Sequence, residues 1–280
     1  MPDWLIKNVP FDLTRPRIMG ILNLTPDSFS GDGIYPDRQK ATERAFLMEE
    51  EGADIVDIGA VSTRPGSPSV SEDEELRRLM PVLEEVCVKT RIPVSVDTCK
   101  ARVAAEALKA GASIINDITA GGDRRILNLA AETRSGLVLM HMQGTPATMQ
   151  VNPSYRDVIA EISQFLEERI TEAKKCGASE EQIVIDPGIG FGKTLEHNLT
   201  ILKKLGDFSK LSRPILVGVS RKAFIGRITG LEVNERLEGT IAAVVAAYLS
   251  GGIIFRVHDV KEVKRALAIA EAIKNAHPGN

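Results

Sequence analysis

The chain has 280 residues, with 35 Lys and Arg against 38 Asp and Glu for a net charge of −3, and 43% hydrophobic residues but only 4% aromatic ones. This composition excludes a disordered, collagen-like or disulfide-scaffolded chain. The balanced charge leaves no basic surplus to neutralise a phosphate backbone, so nucleic acid is not an expected partner.

Cys87, Cys99 and Cys176 are odd in number and far apart, with no CxxC pair, which suits a reducing cytoplasm. Met1-Pro2-Asp3-Trp4 opens without a basic region and apolar stretch, so no signal peptide is expected. The longest apolar run, 241–249, falls far short of the roughly 20 residues that span a bilayer, and no membrane association is expected.

In chain order, β-branched or Leu-rich runs at 17–22, 55–58, 94–96, 113–116, 136–140, 183–185, 215–217 and 252–257 predict eight strands. Between and after them, stretches near 37–51, 72–89, 100–110, 123–134, 153–176, 195–205, 234–250 and 259–275 predict helices. The fifth is the clearest, with Asn152-Pro153 read as its start, Val158, Ile159, Ile162, Phe165, Leu166, Ile170 and Ala173 on one face, and Gly177 as its stop. Eight strand–helix units of about 35 residues each predict an α/β fold, a (β/α)8 TIM barrel in a single domain spanning 1–280 with its core at about 16–275. A doubly wound open sheet is the alternative.

Chemistry in a parallel barrel gathers where the strands end. Every predicted strand here stops at a polar residue: Asn23, the Ser62-Thr63-Arg64 run, Asp97, Asn116, His141 after Met140, Asp186, Ser220-Arg221-Lys222, and Arg256 with His258. Asp, Asn, Ser and Gly end strands everywhere as turn formers and caps, but eight of eight with Arg64, Lys222, Arg256 and His258 among them describes a polar cup. Asp97 and Asp186 can accept paired N–H donors from a planar amidine-like edge, with Asn116 beside them, as a pterin or purine would offer. Arg64, Arg256 and His258, with Asn23 and Thr63, suit phosphate oxygens.

Two features are weaker. Gly188-Ile189-Gly190-Phe191-Gly192-Lys193-Thr194 approaches a P-loop but has Pro187 where that motif needs glycine. His141 reads as a hydrogen-bonded wall residue, and His197 and His277 as solvated ones.

Taken in order, Gly20-Ile21-Leu22-Asn23-Leu24-Thr25-Pro26-Asp27-Ser28-Phe29, Ser62-Thr63-Arg64-Pro65-Gly66, Val96-Asp97-Thr98, Ile115-Asn116-Asp117, Asp186-Pro187-Gly188-Ile189-Gly190-Phe191-Gly192-Lys193, Ser220-Arg221-Lys222 and Arg256-Val257-His258-Asp259 resemble the dihydropteroate synthase family. Val61, Cys99 and the Gly31-Asp32-Gly33 run depart from what is common there, without touching a position named below. The resemblance implies a (β/α)8 homodimer that is a transferase. It would condense 6-hydroxymethyl-7,8-dihydropterin diphosphate with 4-aminobenzoate, using Mg²⁺, to give 7,8-dihydropteroate and diphosphate.

The resemblance further implies that Asp97, Asn116, Met140, Asp186 and Lys222 hold the pterin. Asn23, Thr63, Arg64, Arg256 and His258 would hold the diphosphate, with Asn23 also on Mg²⁺. Phe29, Thr63, Pro65, Phe191, Ser220 and Lys222 would line the 4-aminobenzoate pocket. Arg64, Asp97, Asp186, Lys222 and His258 are the candidate catalytic residues. Two other readings are a pterin-binding corrinoid-dependent methyltransferase, which needs no diphosphate site, and a catalytically silent folate-binding paralogue.

Overall fold

The computed structural model describes residues 3–25, 37–64, 66–67 and 69–276. A short antiparallel hairpin comes first, β1 (Trp4–Ile6) and β2 (Val9–Phe11). Eight parallel strands follow: β3 (Arg17–Asn23), β4 (Ile55–Gly59), β5 (Val94–Asp97), β6 (Ile114–Asp117), β7 (Gly136–Met140), β8 (Ile183–Asp186), β9 (Leu216–Val217) and β10 (Ile254–Val257). Neighbours run in chain order from β3 to β8, and β10 sits between β3 and β9. The remaining seam is closed by a bridge between Ile185 and Ile215, with Ile185 N–H donating to the Pro214 carbonyl at 3.0 Å. The doubly wound alternative is excluded, because an open sheet reverses its strand order and keeps two edges.

The helices are α1 (Arg38–Glu50), α2 (Glu72–Lys89), α3 (Ala101–Lys109), α4 (Arg124–Thr133), α5 (Val158–Lys175), α6 (Leu195–Lys203), α7 (Ala223–Thr229), α8 (Leu237–Leu249) and α9 (Val260–Lys274). Their sequences explain their ends. Ser71 accepts from Glu74 N–H to cap α2, whose first turn carries Glu72, Asp73, Glu74 and Glu75 and whose last carries Lys89, charges placed to suit the helix dipole. All five residues of β4 and of β7 are buried, as expected for parallel strands covered on both faces.

Two sequence expectations are corrected. Helix α5 does not start at Pro153: Asp157 is its cap, accepting from Ile159 and Ala160 N–H, and Asn152 takes a left-handed conformation at φ 48°. His197 is not a solvated bystander. It completes the cap of α6 with Thr194 and lies edge-on to Tyr155, ring centres 5.0 Å apart.

The hairpin β1–β2 plugs the N-terminal end of the barrel. Trp4 is fully buried and donates its indole N–H to the Gln182 carbonyl at 2.8 Å, just before β8. Gly136 opens β7 as a glycine because a Cβ there would fall 2.8 Å from the Trp4 ring. Nearby, Arg17 is buried between Asp12 and Asp54, bonded to the latter at 2.9 Å, and lies over Phe11. One end of the barrel is thus sealed, and the polar strand ends stand at the other.

Candidate active site

Strand register brings the acidic and amide residues together. Gly59, Asp97 and Asn116 are Cα partners across β4, β5 and β6, and Met140 partners Asp186 across β7 and β8. Asn23 ends β3 opposite Gly59, and Arg256 rises from β10 beside Met19. Asn116, Met140 and Asp186 are buried.

The centre of this layer is a residue that sequence reasoning passed over. Asp57 lies inside the apolar run Ile55-Val56-Asp57-Ile58 and is fully buried. Its Oδ2 accepts from Arg256 Nε at 2.6 Å and from Asn116 Nδ2 at 3.1 Å. Arg256 also donates through Nη2 to Asp97 Oδ2 at 2.6 Å, so one guanidinium reaches past β3 to join carboxylates on β4 and β5. The signal available in the sequence was the lone carboxylate within an apolar strand, since buried charges are paired. Asp57 Oδ1 and its register partner's Ser95 Oγ have no hydrogen-bond partner among the described residues.

Burial dominates the electrostatics. It pushes Asp97 up to about 7, with Arg256 pulling down and Asp57, Glu75 and Asp117 adding to the rise. Burial likewise raises Asp186, opposed by Lys222 and by the Gly188 N–H donated to its Oδ1 at 2.7 Å. Lys222 is brought down to about 8 by burial, with Asp186 holding it up. For Arg256 burial works against the charge, but Asp57 and Asp97 more than restore it and its value lies above the ordinary one.

The loop after β8 supplies the apolar wall. Gly188 must be glycine: at φ +69° a Cβ would lie 1.9 Å from the His141 carbonyl oxygen. Lys222 donates its amine to the Ile189 carbonyl and stands 4.6 Å from the centre of the Phe191 ring. The P-loop likeness of this segment is not realised as a phosphate cradle, because the Lys193 amine is buried against His141 and not presented at the mouth.

His258 Nδ1 lies 2.9 Å from Ser220 Oγ, which joins the loops after β10 and β9. Arg221, beside Lys222, pairs with Asp259 and stays outside the cup. On the other side, Gly66 N–H donates to the Pro146 carbonyl at 3.2 Å, so the loop carrying Thr63 and Arg64 rests on the loop after β7. Its end is strapped down as well: Lys100 Nζ bonds the Val70 carbonyl and buried Glu75, which also accepts from Thr98 Oγ1 at 2.6 Å. Phe29 and Pro65 lie outside the described residues.

Chemically, this arrangement offers a planar, hydrogen-bonding ligand an acid and amide edge at Asp97, Asn116 and Asp186. A cationic amine stands beside that edge, with imidazole and guanidinium groups around it. Among the described residues no group of three or more His, Cys, Asp or Glu is placed to hold a metal ion.

Comparison with known proteins gives concordant matches. The family model described as pterin binding enzyme matches residues 19–258. Dihydropteroate synthase of Escherichia coli K12 is 45% identical over 270 residues, 96% of each chain. Among solved structures, Yersinia pestis dihydropteroate synthase in a sulfonamide drug complex superposes with a TM-score of 0.95 at 41% identity, covering 98% of this chain and all of the other. Xanthomonas albilineans dihydropteroate synthase with 4-aminobenzoic acid gives 0.91 at 41% identity, over 99% of this chain and all of the other.

Proposed function

The chain belongs to the pterin-binding enzymes, in the dihydropteroate synthase family, and from that premise we propose how its residues divide the reaction. It is a transferase that condenses 6-hydroxymethyl-7,8-dihydropterin diphosphate with 4-aminobenzoate, giving 7,8-dihydropteroate and diphosphate. The observation that carries the residue assignment is the convergence of buried Asn116 and Asp186 with half-buried Asp97 at the ends of β5, β6 and β8, and of half-buried Lys222 in the loop after β9.

These four groups hold the pterin, with Met140 as an apolar wall. Asn23, Thr63, Arg64, Arg256 and His258 hold the diphosphate. Thr63, Ser220, Phe191 and Lys222, with Phe29 and Pro65, receive 4-aminobenzoate. The bond between the pterin methylene and the diphosphate oxygen breaks first, the electron pair leaving with diphosphate. Arg64, Arg256 and His258 stabilise that departing charge, and Asp97 and Asp186 offset the positive charge that spreads into the ring. The aromatic amine, already unprotonated at pH 7, then forms the C–N bond and gives up its proton to water. Among the described residues of the cup no side chain is a nucleophile suited to a covalent intermediate: burial pushes the Cys99 thiol up to about 11.

The donor set fits Mg²⁺, an ion that keeps most of its waters and takes few protein oxygens beside substrate phosphates. Half-buried Asn23, at the end of β3, would hold it together with the diphosphate. When bound, the ion neutralises leaving-group charge.

A homodimer is supported by α8, which is apolar nearly all round, and by exposed Ile228, Leu249, Ile269 and Ile273 on α7, α8 and α9. Sedimentation equilibrium is expected to give a dimer that Leu249→Glu with Ile269→Glu converts to a monomer; a wild-type monomer would remove this assignment. The three free cysteines accord with a cytoplasmic location. No helix of the described residues is long and apolar enough to cross a membrane.

Incubating the protein with pterin diphosphate, 4-aminobenzoate and Mg²⁺, and following diphosphate release, tests the activity; chelating the metal is expected to stop it. No release would overturn the assignment. A corrinoid-dependent methyltransferase or a silent paralogue has no use for a diphosphate-binding loop, which supplies the sharper test. Arg64→Ala is expected to lower turnover at least a hundred-fold while free-pterin affinity stays within about threefold. Equal losses in both would argue against a diphosphate role.

A further inference from the structure

We propose that Lys193 and His141 form a positioning pair that sets the Phe191 wall and the Lys222 amine of the 4-aminobenzoate half of the site. This rests on the division of the site given above. Lys193 is only 2% exposed, and its amine is bonded to an imidazole nitrogen and backbone carbonyls. Its Nζ is 2.9 Å from the Phe191 carbonyl, 3.0 Å from His141 Nδ1 and 3.5 Å from the His141 carbonyl.

The imidazole is fixed in turn. His141 is buried, its backbone N–H donates to the Asp186 carbonyl at 2.9 Å, and Phe165 meets its ring at a right angle, centres 4.9 Å apart. Burial, with the Lys193 charge beside it, brings its ring down to about 3, so it is neutral and can accept through Nδ1.

The segment being held has one internal bond, from Phe191 N–H to the Gly188 carbonyl at 3.1 Å, which leaves the Phe191 carbonyl itself to an outside donor. Gly188, Gly190 and Gly192 all have positive φ, leaving residues 188–192 little intrinsic conformational preference. External clamps do the work: Gln150 on the Gly190 carbonyl, Asn198 on its N–H, Tyr155 on the Gly192 carbonyl, and Lys193 on the Phe191 carbonyl. Of these, Lys193 is the one that can carry a charge. What it fixes is what Lys222 touches, since the Ile189 carbonyl accepts the Lys222 amine and the Phe191 ring lies against it. A shift of the Phe191 backbone moves both surfaces at once.

Stability alone does not account for such a lysine. Burial depresses its amine to about 7, with Asp186 holding it up and Lys222 pressing it further down. Removing the amine would leave the Phe191 carbonyl and His141 Nδ1 unpaired, a general cost to the fold, whereas a positioning role shows as an unequal effect on the two substrates.

That separates the two roles experimentally. Lys193→Met is expected to lower the melting temperature by a few degrees, the cost of leaving the Phe191 carbonyl and His141 Nδ1 without a donor, while raising the KM for 4-aminobenzoate at least tenfold; free-pterin Kd is expected to rise less, within about threefold, because Lys222 also faces the pterin. His141→Leu, which removes the acceptor, is expected to give the same split in KM. His141→Asn keeps an oxygen acceptor near the Nδ1 position and is expected to recover most of the affinity for 4-aminobenzoate. An unchanged KM in Lys193→Met and His141→Leu overturns the proposal, as does a fall in melting temperature with equal losses for both substrates. A wild-type protein that releases no diphosphate instead overturns the reading of the site.

Discussion

Replacing Asp186 by alanine is expected to lower kcat/KM about a thousand-fold and to remove measurable pterin binding, without unfolding the barrel. Asp186 stands at the end of β8, where one carboxylate oxygen accepts the Gly188 N–H and the other meets no donor among the described residues. That second oxygen, with the first shared, is what the pterin edge requires. Two hydrogen bonds to a charged acceptor at about 1.5–3 kcal/mol each sum to roughly 4 kcal/mol, or about three powers of ten. The alanine variant also leaves half-buried Lys222 without the carboxylate that sustains its charge. Asp186→Asn keeps the shape and one acceptor and is expected to fall between the two. Isothermal titration with a free pterin, beside diphosphate release, measures both quantities, and wild-type values in Asp186→Ala would falsify the pterin-edge assignment.

The second large effect is structural and catalytic together. Asp57→Ala is expected to destabilise the protein by about 3–5 kcal/mol, the cost of breaking a buried ion pair from one side, which lowers the melting temperature by on the order of 10 °C. Arg256 would keep Asp97 alone, and Asn116 would lose its acceptor. Turnover is expected to fall with it, because the same carboxylate orients Arg256 and Asn116, the groups proposed for the diphosphate and the pterin. The double replacement Asp57→Leu with Arg256→Met discriminates the causes. Two apolar residues can repack the space, and Asp97, whose affinity for a proton is already raised by burial, escapes the loss of Arg256 by taking one up. Thermal unfolding is therefore expected to return most of the lost stability while activity stays low. Recovery of activity as well would mean that the pair serves only packing.

The eight barrel strands were legible because each is a short apolar run followed by a polar residue, a pattern that burial on both faces and a functional rim impose together. The strand ends Asp97, Asn116 and Asp186 were legible for the same reason. Hairpin β1–β2 was not, since three-residue strands carry no period that can be counted, and α7 was hidden in seven residues between Lys222 and Gly230. The start of α5 was misplaced because Pro153 is a strong local signal, whereas Asp157 won by bonding two helix N–H groups. Asp57 showed locally only as a lone carboxylate in an apolar strand, and neither its role nor that of Lys193 could be read from its neighbours in sequence. The partner that explains Asp57 is Arg256, on the far side of the chain, and the one that explains Lys193 is His141, just after β7. Their chemistry exists only after the strands have closed.

Closure itself imposes an order on the life of the chain. Arg17 of the first barrel strand pairs with Ile254 of the last. Emerging from the ribosome at about 5–20 residues per second, β3 waits on the order of 10–50 s before its second neighbour has been made. Throughout that interval one edge of Arg17–Asn23 presents unpaired backbone donors and acceptors, the form in which nascent strands find wrong partners. The Arg256 bridge to Asp57 and Asp97 forms only when that edge is covered, so for this barrel the completion of the sheet and the assembly of its central charge network are one event.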